Sequence, residues 1–246
     1  MKELIDELEK AMYIALKDLQ EYYMKPGSIS WGILFPFVFA LAFMFRHGGL
    51  TTWLVPGMIS LALFFGATSM SGMSIVFERR IGSFERLLLF PASYIGIALG
   101  KSLSSFFLGL VSAVPIFLLA YFILHVIPVH AILLVLAIVL ASFASSSFGV
   151  LLSFIIKEPE QVMVILNLVR FPMMFLSDVI IPVSLMPHYL LSIVLIQPLT
   201  YMTEAIRYAS TGSCDIVSPL AAYVVSFLIG LAFLLLAAYA IKRSRT

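Results

Sequence analysis

AILLVLAIVLASFASSSFGVLLSFII, residues 131–156, is a run of 26 residues without a single charged side chain. A helix needs about 20 apolar residues to cross a hydrocarbon core of ~30 Å, so this stretch can span a bilayer by itself. Working outward from it, five further runs qualify: 29–45, 53–75, 94–124, 162–181 and 219–241. Composition agrees, since 62% of the 246 residues are apolar and only 11% are charged, against about 25% charged in an ordinary soluble domain. Such an excess cannot be hidden in a core, because even a chain of about 300 residues buries only about three quarters of its unfolded surface. The expected fold is an all-α polytopic membrane protein with six transmembrane helices. Pro36, Pro56, Pro115 and Pro172 lie inside the runs and are expected to kink them.

The region 182–218 reads differently. Its apolar run, His188 to Gln197, has ten residues and reaches only ~15 Å as a helix. Pro182, Pro187 and Pro198 punctuate it, so the segment is expected to form one or two re-entrant helices dipping into the outer leaflet. Twelve of the 15 Lys and Arg residues fall on segments that share a side with the N-terminus, which by the positive-inside rule makes both termini cytoplasmic and the location a cell membrane. A net charge of +2 gives no support for nucleic acid as a partner. The lone Cys214 excludes an internal disulfide and a cysteine-based zinc site. His47, His125, His130 and His188 all fall on the predicted outer side without a carboxylate cluster, a pattern of interfacial residues more than of metal ligands, and no metal is expected.

Two polar segments face the cytoplasm. Residues 1–28 are too polar and acidic for a signal peptide, so the chain is expected to keep its N-terminus. Leu4, Leu8, Met12, Leu16, Leu19 and Tyr23 recur at spacings of three and four, one apolar stripe on a helix expected to lie on the membrane surface and end at Pro26-Gly27. That helix either anchors the first span or grips a partner. The loop 76–93 carries Glu78-Arg79-Arg80-Ile81-Gly82-Ser83-Phe84-Glu85-Arg86-Leu87-Leu88. Ile81, Phe84, Leu87 and Leu88 form a narrow apolar edge flanked by both signs of charge, which suits a short helix docking in a groove of another protein.

Isolated polar residues within the runs are the remaining candidates. Arg170 lies about eight residues into its span, ~12 Å deep, where a charge costs about 2.5–3.5 kcal/mol on insertion scales. Asn167 is one turn away, and Asp178 is ~12 Å further along the axis, too far for a direct pair. Arg170 therefore pairs with another span or lines a translocation path. Glu204 and Arg207, three apart on a short outer helix, are expected to form an exposed pair worth about 0.3–0.5 kcal/mol. Gly96-Ile-Ala-Leu-Gly100-Lys101-Ser102 is one residue short of a phosphate-binding loop and no strand precedes it. Close helix packing at Gly96 and Gly100, with Lys101 snorkelling to headgroups, is the reading preferred. Ala141, Ser145 and Gly149 make a small-residue stripe facing either another span or a second copy.

The run Glu78-Arg79-Arg80-x-Gly82-Ser83-x-Glu85-x-Leu87-Leu88-x-x-Pro91, followed by Gly100-Lys101, resembles the permease subunits of ABC-2 type ATP-binding-cassette exporters. A second likeness runs through Phe175-Leu176-Ser177-Asp178, Pro182, Pro187, Gln197-Pro198-Leu199-Thr200-Tyr201, Glu204 and Arg207. Ser83 stands where the family more often has Thr, Asp178 where it has Gly, and Gln197 where it often has Asn. The resemblance implies that loop 76–93 is a coupling helix seated in a cleft of a separate ATPase subunit. It further implies a complex of two permease units, identical or related, with two ATPase copies that hold ATP and magnesium, this chain binding no cofactor and being no enzyme itself. Pro198, Tyr201, Glu204 and Arg207 would then belong to the outer re-entrant segment of an exporter, whose Phe-rich path tilts the cargo toward amphipathic or hydrophobic molecules. A secondary transporter or channel usually shows paired intramembrane charges or matched halves, and a membrane serine protease needs a nucleophile and base at one depth; neither pattern is visible.

Overall fold

The computed structural model describes residues 2–23, 25–46, 53–156, 158–181, 183 and 186–244, and these form helices and short connections with no β-strand among them. His47, Lys157, Pro182 and Arg245 lie outside the described residues, as do the side chains of Lys2, Leu4 and Arg46. In chain order the helices are α1 (Lys2–Tyr22), α2 (Pro26–Ile29), α3 (Phe35–Arg46), α4 (Leu54–Arg80), α5 (Ser83–Leu87), α6 (Tyr94–Phe122), α7 (Ala131–Ser153), α8 (Val162–Phe175), α9 (His188–Ile196), α10 (Pro198–Thr211) and α11 (Pro219–Arg243). Five helical stretches are long and apolar enough to cross a membrane: Pro26–Phe43, α4, α6, α7 and α11. A sixth is reached if α9 and α10, bent by 90° at Gln197, count as one broken span. The chain is thus an all-helical, multi-pass membrane protein.

α4 is the axle of the bundle, buried along almost its whole length, with α6, α7, α8 and α10 packed around it. Small residues make this possible. A Cβ on Gly149 of α7 would stand 2.8 Å from the Thr68 Cα of α4, so only glycine permits that approach. Ala141, Ser145 and Gly149 all turn into the same chain, and the stripe therefore serves packing within one copy. The buried serines return their hydroxyl protons to carbonyls a turn earlier, as Ser60 does to Pro56 (2.9 Å). Some also link helices, as Ser142 does to the Phe106 carbonyl (2.8 Å). Bonds of both kinds satisfy hydroxyl donors that lipid could not, whereas the buried hydroxyls of Ser28, Ser69 and Ser226 have no partner among the described residues.

The prolines act individually. Pro56 occupies the first turn of α4, where a missing N–H costs nothing, so no kink is required there. A π-helical turn, Ser30–Leu34, precedes Pro36, letting the helix absorb the absent donor. Residues 162–181 differ most from the expected span. α8 stops at Phe175, with the Ser177 hydroxyl donating to the Met174 carbonyl (3.1 Å). The following turn brings the Asp178 carbonyl to Arg207 Nη2 (2.8 Å). Helix α8 is held short because its last residues are claimed by side chains of another segment. Conversely, α4 runs on through Arg80, so the loop expected to start at 76 begins at Ile81.

Candidate functional site

Three polar groups stand out, and the first lies where α1 meets the bases of α4 and α6. α1 packs on α6 through Ala11, Ile14, Ala15, Asp18 and Tyr22, all buried. The apolar stripe of Leu8, Met12 and Leu16 is instead exposed beside that contact face. The reason is steric: α6 presents Gly100, whose hypothetical Cβ would meet the Ala11 carbonyl and the Ile14 Cβ at 2.8 Å each, so the missing side chain on α6 lets α1 come close. Lys101 follows in the next position, and it does not snorkel. Its ammonium is fully buried, donating to both Asp18 oxygens at 2.9 Å and to Glu78. Lys17 donates to the other Glu78 oxygen. Two cations and two carboxylates thus close a knot that ties α1, α4 and α6 together. Burial pushes the Asp18 carboxyl up to about 6, against the opposing pull of Lys101.

Above this knot hangs the loop of α5. Gly82 adopts φ +69°, a left-handed conformation that reverses the chain after α4 and that a side chain resists. Phe84 is buried, edge-on to Phe154 at 5.9 Å, and Leu87 and Leu88 pack half-buried beside it. Glu78 and Phe84, read from sequence as docking residues, therefore turn into the chain itself, because the apolar edge has a groove of its own to fill. What faces outward is Ile81, Arg80, Glu85, Arg86, Leu89 and Phe90; Arg79 is half-buried over the Phe154 ring, and Gly82 and Ser83 are half-buried. At the other edge of the loop the Ser93 backbone N–H and hydroxyl both donate to Glu7 of α1, holding that carboxyl below its ordinary range.

The second group is Arg170 on α8. It is fully buried, its Nη1 donates to Asn167 Oδ1 at 3.3 Å, and its guanidinium lies over the Phe65 ring at 5.0 Å. Nε and Nη2 have no partner among the described residues. Around it Trp31, Phe35, Phe65 and Phe171 stack, with Phe35 and Phe65 centroids 4.9 Å apart.

The third group is at the opposite end of α4. Glu204 and Arg207 are buried, not exposed as expected, and Arg207 Nη1 reaches Glu204 (3.2 Å), Asp178 (3.5 Å) and Asp215. Trp53 lies against the guanidinium face at 4.3 Å and donates Nε1–H to Asp215 at 2.8 Å. Glu204 also accepts from the backbone N–H of Asp215 at 2.8 Å. Asp178 accordingly belongs with Arg207 and not with Arg170. Of the residues in this segment, Pro198 opens α10, and the Tyr201 hydroxyl donates to the Leu195 carbonyl at 2.7 Å, capping α9 at the bend. Sequence reasoning missed Asp18, Lys17, Trp53 and Asp215. Only Asp18 carried a signal, as a carboxylate on the small-residue face of its helix.

The described helices thus form a multi-pass bundle with a buried charge cluster at each end of α4 and a buried arginine apart from both. The sequence profile of the family described as "ABC-2 type transporter" matches residues 10–210, and the chain belongs to that family as a permease subunit. It is similar to the putative transport permease ycf38 of Cyanophora paradoxa, at 25% identity over 217 residues, covering 82% of this chain and 72% of that one. The probable multidrug ABC transporter permease YbhR of Escherichia coli (strain K12) is 24% identical over 169 residues, 67% of this chain but 46% of the relative. The inner membrane transport permease YhhJ of the same strain is 29% identical over 152 residues, 59% of this chain and 40% of the relative.

Proposed function

We propose that this chain is the membrane half of an exporter in the cell membrane, with both termini cytoplasmic, moving amphipathic or hydrophobic cargo with energy from a separate ATPase. Two copies, or this chain and a relative, enclose the path, and two ATPase subunits holding ATP and magnesium sit beneath α5. The observation that carries this reading is the knot of Asp18, Glu78, Lys101 and Lys17. It fixes the foot of α4 to α6 and α1, so a push on the loop from Ile81 to Ser93 moves those helices as a body instead of bending one of them. Ile81 and Leu89, with Arg80, Glu85 and Arg86, supply an outward surface of apolar side chains and charges of both signs for the ATPase cleft.

Charge reversal at an exposed residue separates docking from folding. Glu85→Arg and Leu89→Asp should leave the melting temperature of the purified chain unchanged. Each should weaken co-purification with the ATPase, or abolish the dependence of transport on ATP. Intact complex and undiminished ATP-driven transport in both variants would remove the coupling role.

A further inference from the structure

The Nε and Nη2 of Arg170, both buried and unpartnered, lie on one edge of the guanidinium, the edge that grips a carboxylate or phosphate with two parallel N–H donors. Arginine stays charged in proteins, and a buried charge demands a counter-charge. Among the described residues no carboxylate reaches Arg170. Asp18 and Glu78 are bound to Lys101 and Glu204 and Asp215 to Arg207, while Asp178 faces Arg207 at 3.5 Å without a hydrogen bond to its carboxylate. The long membrane helices offer no further carboxylate at that depth. Helices α3, α6, α7, α8 and α11 contain no Asp or Glu, and α4 carries only Glu78 near its end. The other acidic side chains sit on α1, in the α5 loop and in the connection before α8.

Resting on the exporter reading, we infer that Arg170 and Asn167 form a recognition site for an amphipathic organic anion, a carboxylate or phosphate carried on an aromatic or aliphatic body. Arg170 holds the anionic oxygens through Nε and Nη2, Asn167 keeps the guanidinium oriented, and Phe35, Phe65 and Phe171 receive the apolar body. In the structure the site is closed. α8 is the helix placed to open it: it is short and packs chiefly on α4, with Val164, Leu168 and Phe175 on its outer side. The anion could belong to cargo or to a lipid headgroup drawn inward.

The test is calorimetric titration of the purified full chain in phosphatidylcholine nanodiscs with naphthoate and with its neutral counterpart naphthamide. Charge-assisted hydrogen bonds predict that naphthoate binds about tenfold or more tightly. Arg170→Met should erase the preference while naphthamide binding persists, and Arg170→Lys should keep part of it. Repeating the titration in nanodiscs containing phosphatidylglycerol separates the sources. Undiminished naphthoate binding identifies cargo, and competition identifies lipid phosphate, both consistent with an anion site. Equal binding of the two probes to the unmodified chain, which requires no variant to fold, overturns the inference, as does a preference that survives in Arg170→Met. No ATPase is present, so this result stands apart from the fate of the coupling role.

Discussion

The two buried charge clusters at the ends of α4 are opposites in their balance. At the α1 end, Lys17 and Lys101 face Asp18 and Glu78, two charges of each sign. At the far end Arg207 alone faces Asp178, Glu204 and Asp215, and both Asp178 oxygens lack a hydrogen-bond partner among the described residues. A balanced buried cluster keeps its geometry only while complete, because each member is the counter-ion of the others. An unbalanced one carries surplus repulsion, which a proton or a movement can relieve. The first cluster is therefore a strut and the second a stressed joint, holding the second half of α10 against the turn after α8 and the start of α4.

The largest effect should come from breaking the strut. Lys101→Met leaves Asp18 and Glu78 buried together without their shared cation, a loss of about 3–5 kcal/mol for a buried pair. Thermal unfolding of the detergent-purified chain should show it as a large drop in melting temperature. Lys17→Met removes a side chain that is 36% exposed, and solvent screening should limit that loss to under about 1 kcal/mol. Equal losses in the two variants would refute the view that burial makes Lys101 the keystone.

A smaller effect is carried by pH. Asp18 has an ordinary value of 3.8 and is raised by burial to about 6, so the folded chain holds this proton more tightly than the unfolded one. Its contribution to stability is fully present below pH ~4 and is lost as pH rises through about 6. The melting temperature should rise on acidification from pH 7.5 to 5, and Asp18→Asn should flatten that slope. A slope identical in the variant would show that another group sets it.

The fold was legible because lipid imposes a single rule, long apolar runs, and residues 131–156 obey it without exception. The charge clusters were not, since each is assembled from segments far apart in sequence: Asp18 with Lys101, and Trp53 with Arg207 and Asp215. At α1, periodicity marks one face of the helix and is silent on the face that packs against α6. The stripe of Leu8, Met12 and Leu16 has the stronger apolar pattern, yet the face that packs is Ala11, Ile14 and Ala15. In water the longest apolar stripe marks the buried face, whereas beside a bilayer it can turn to lipid and leave the protein contact to another face of the helix. Arg170 was recognisable as costly from its depth, but its want of a carboxylate follows only from seeing Asp178 and Glu204 engaged elsewhere.

The subtlest measurement tests the stressed joint by sign instead of size. Asp178→Asn removes one surplus negative charge from the Arg207 group and keeps the shape of the side chain. Arg207 Nη2 retains its bond to the residue 178 carbonyl, since that acceptor is backbone. Losing the salt bridge at 3.5 Å is offset by relief of repulsion from Glu204, so stability should stay within about 1 kcal/mol of the parent or rise. In the balanced cluster the corresponding removal of a charge, Lys101→Met, is costly because nothing there is surplus. A fall in melting temperature for Asp178→Asn as large as that of Lys101→Met would show that Asp178 is an indispensable counter-ion, and the two ends of α4 would then be alike.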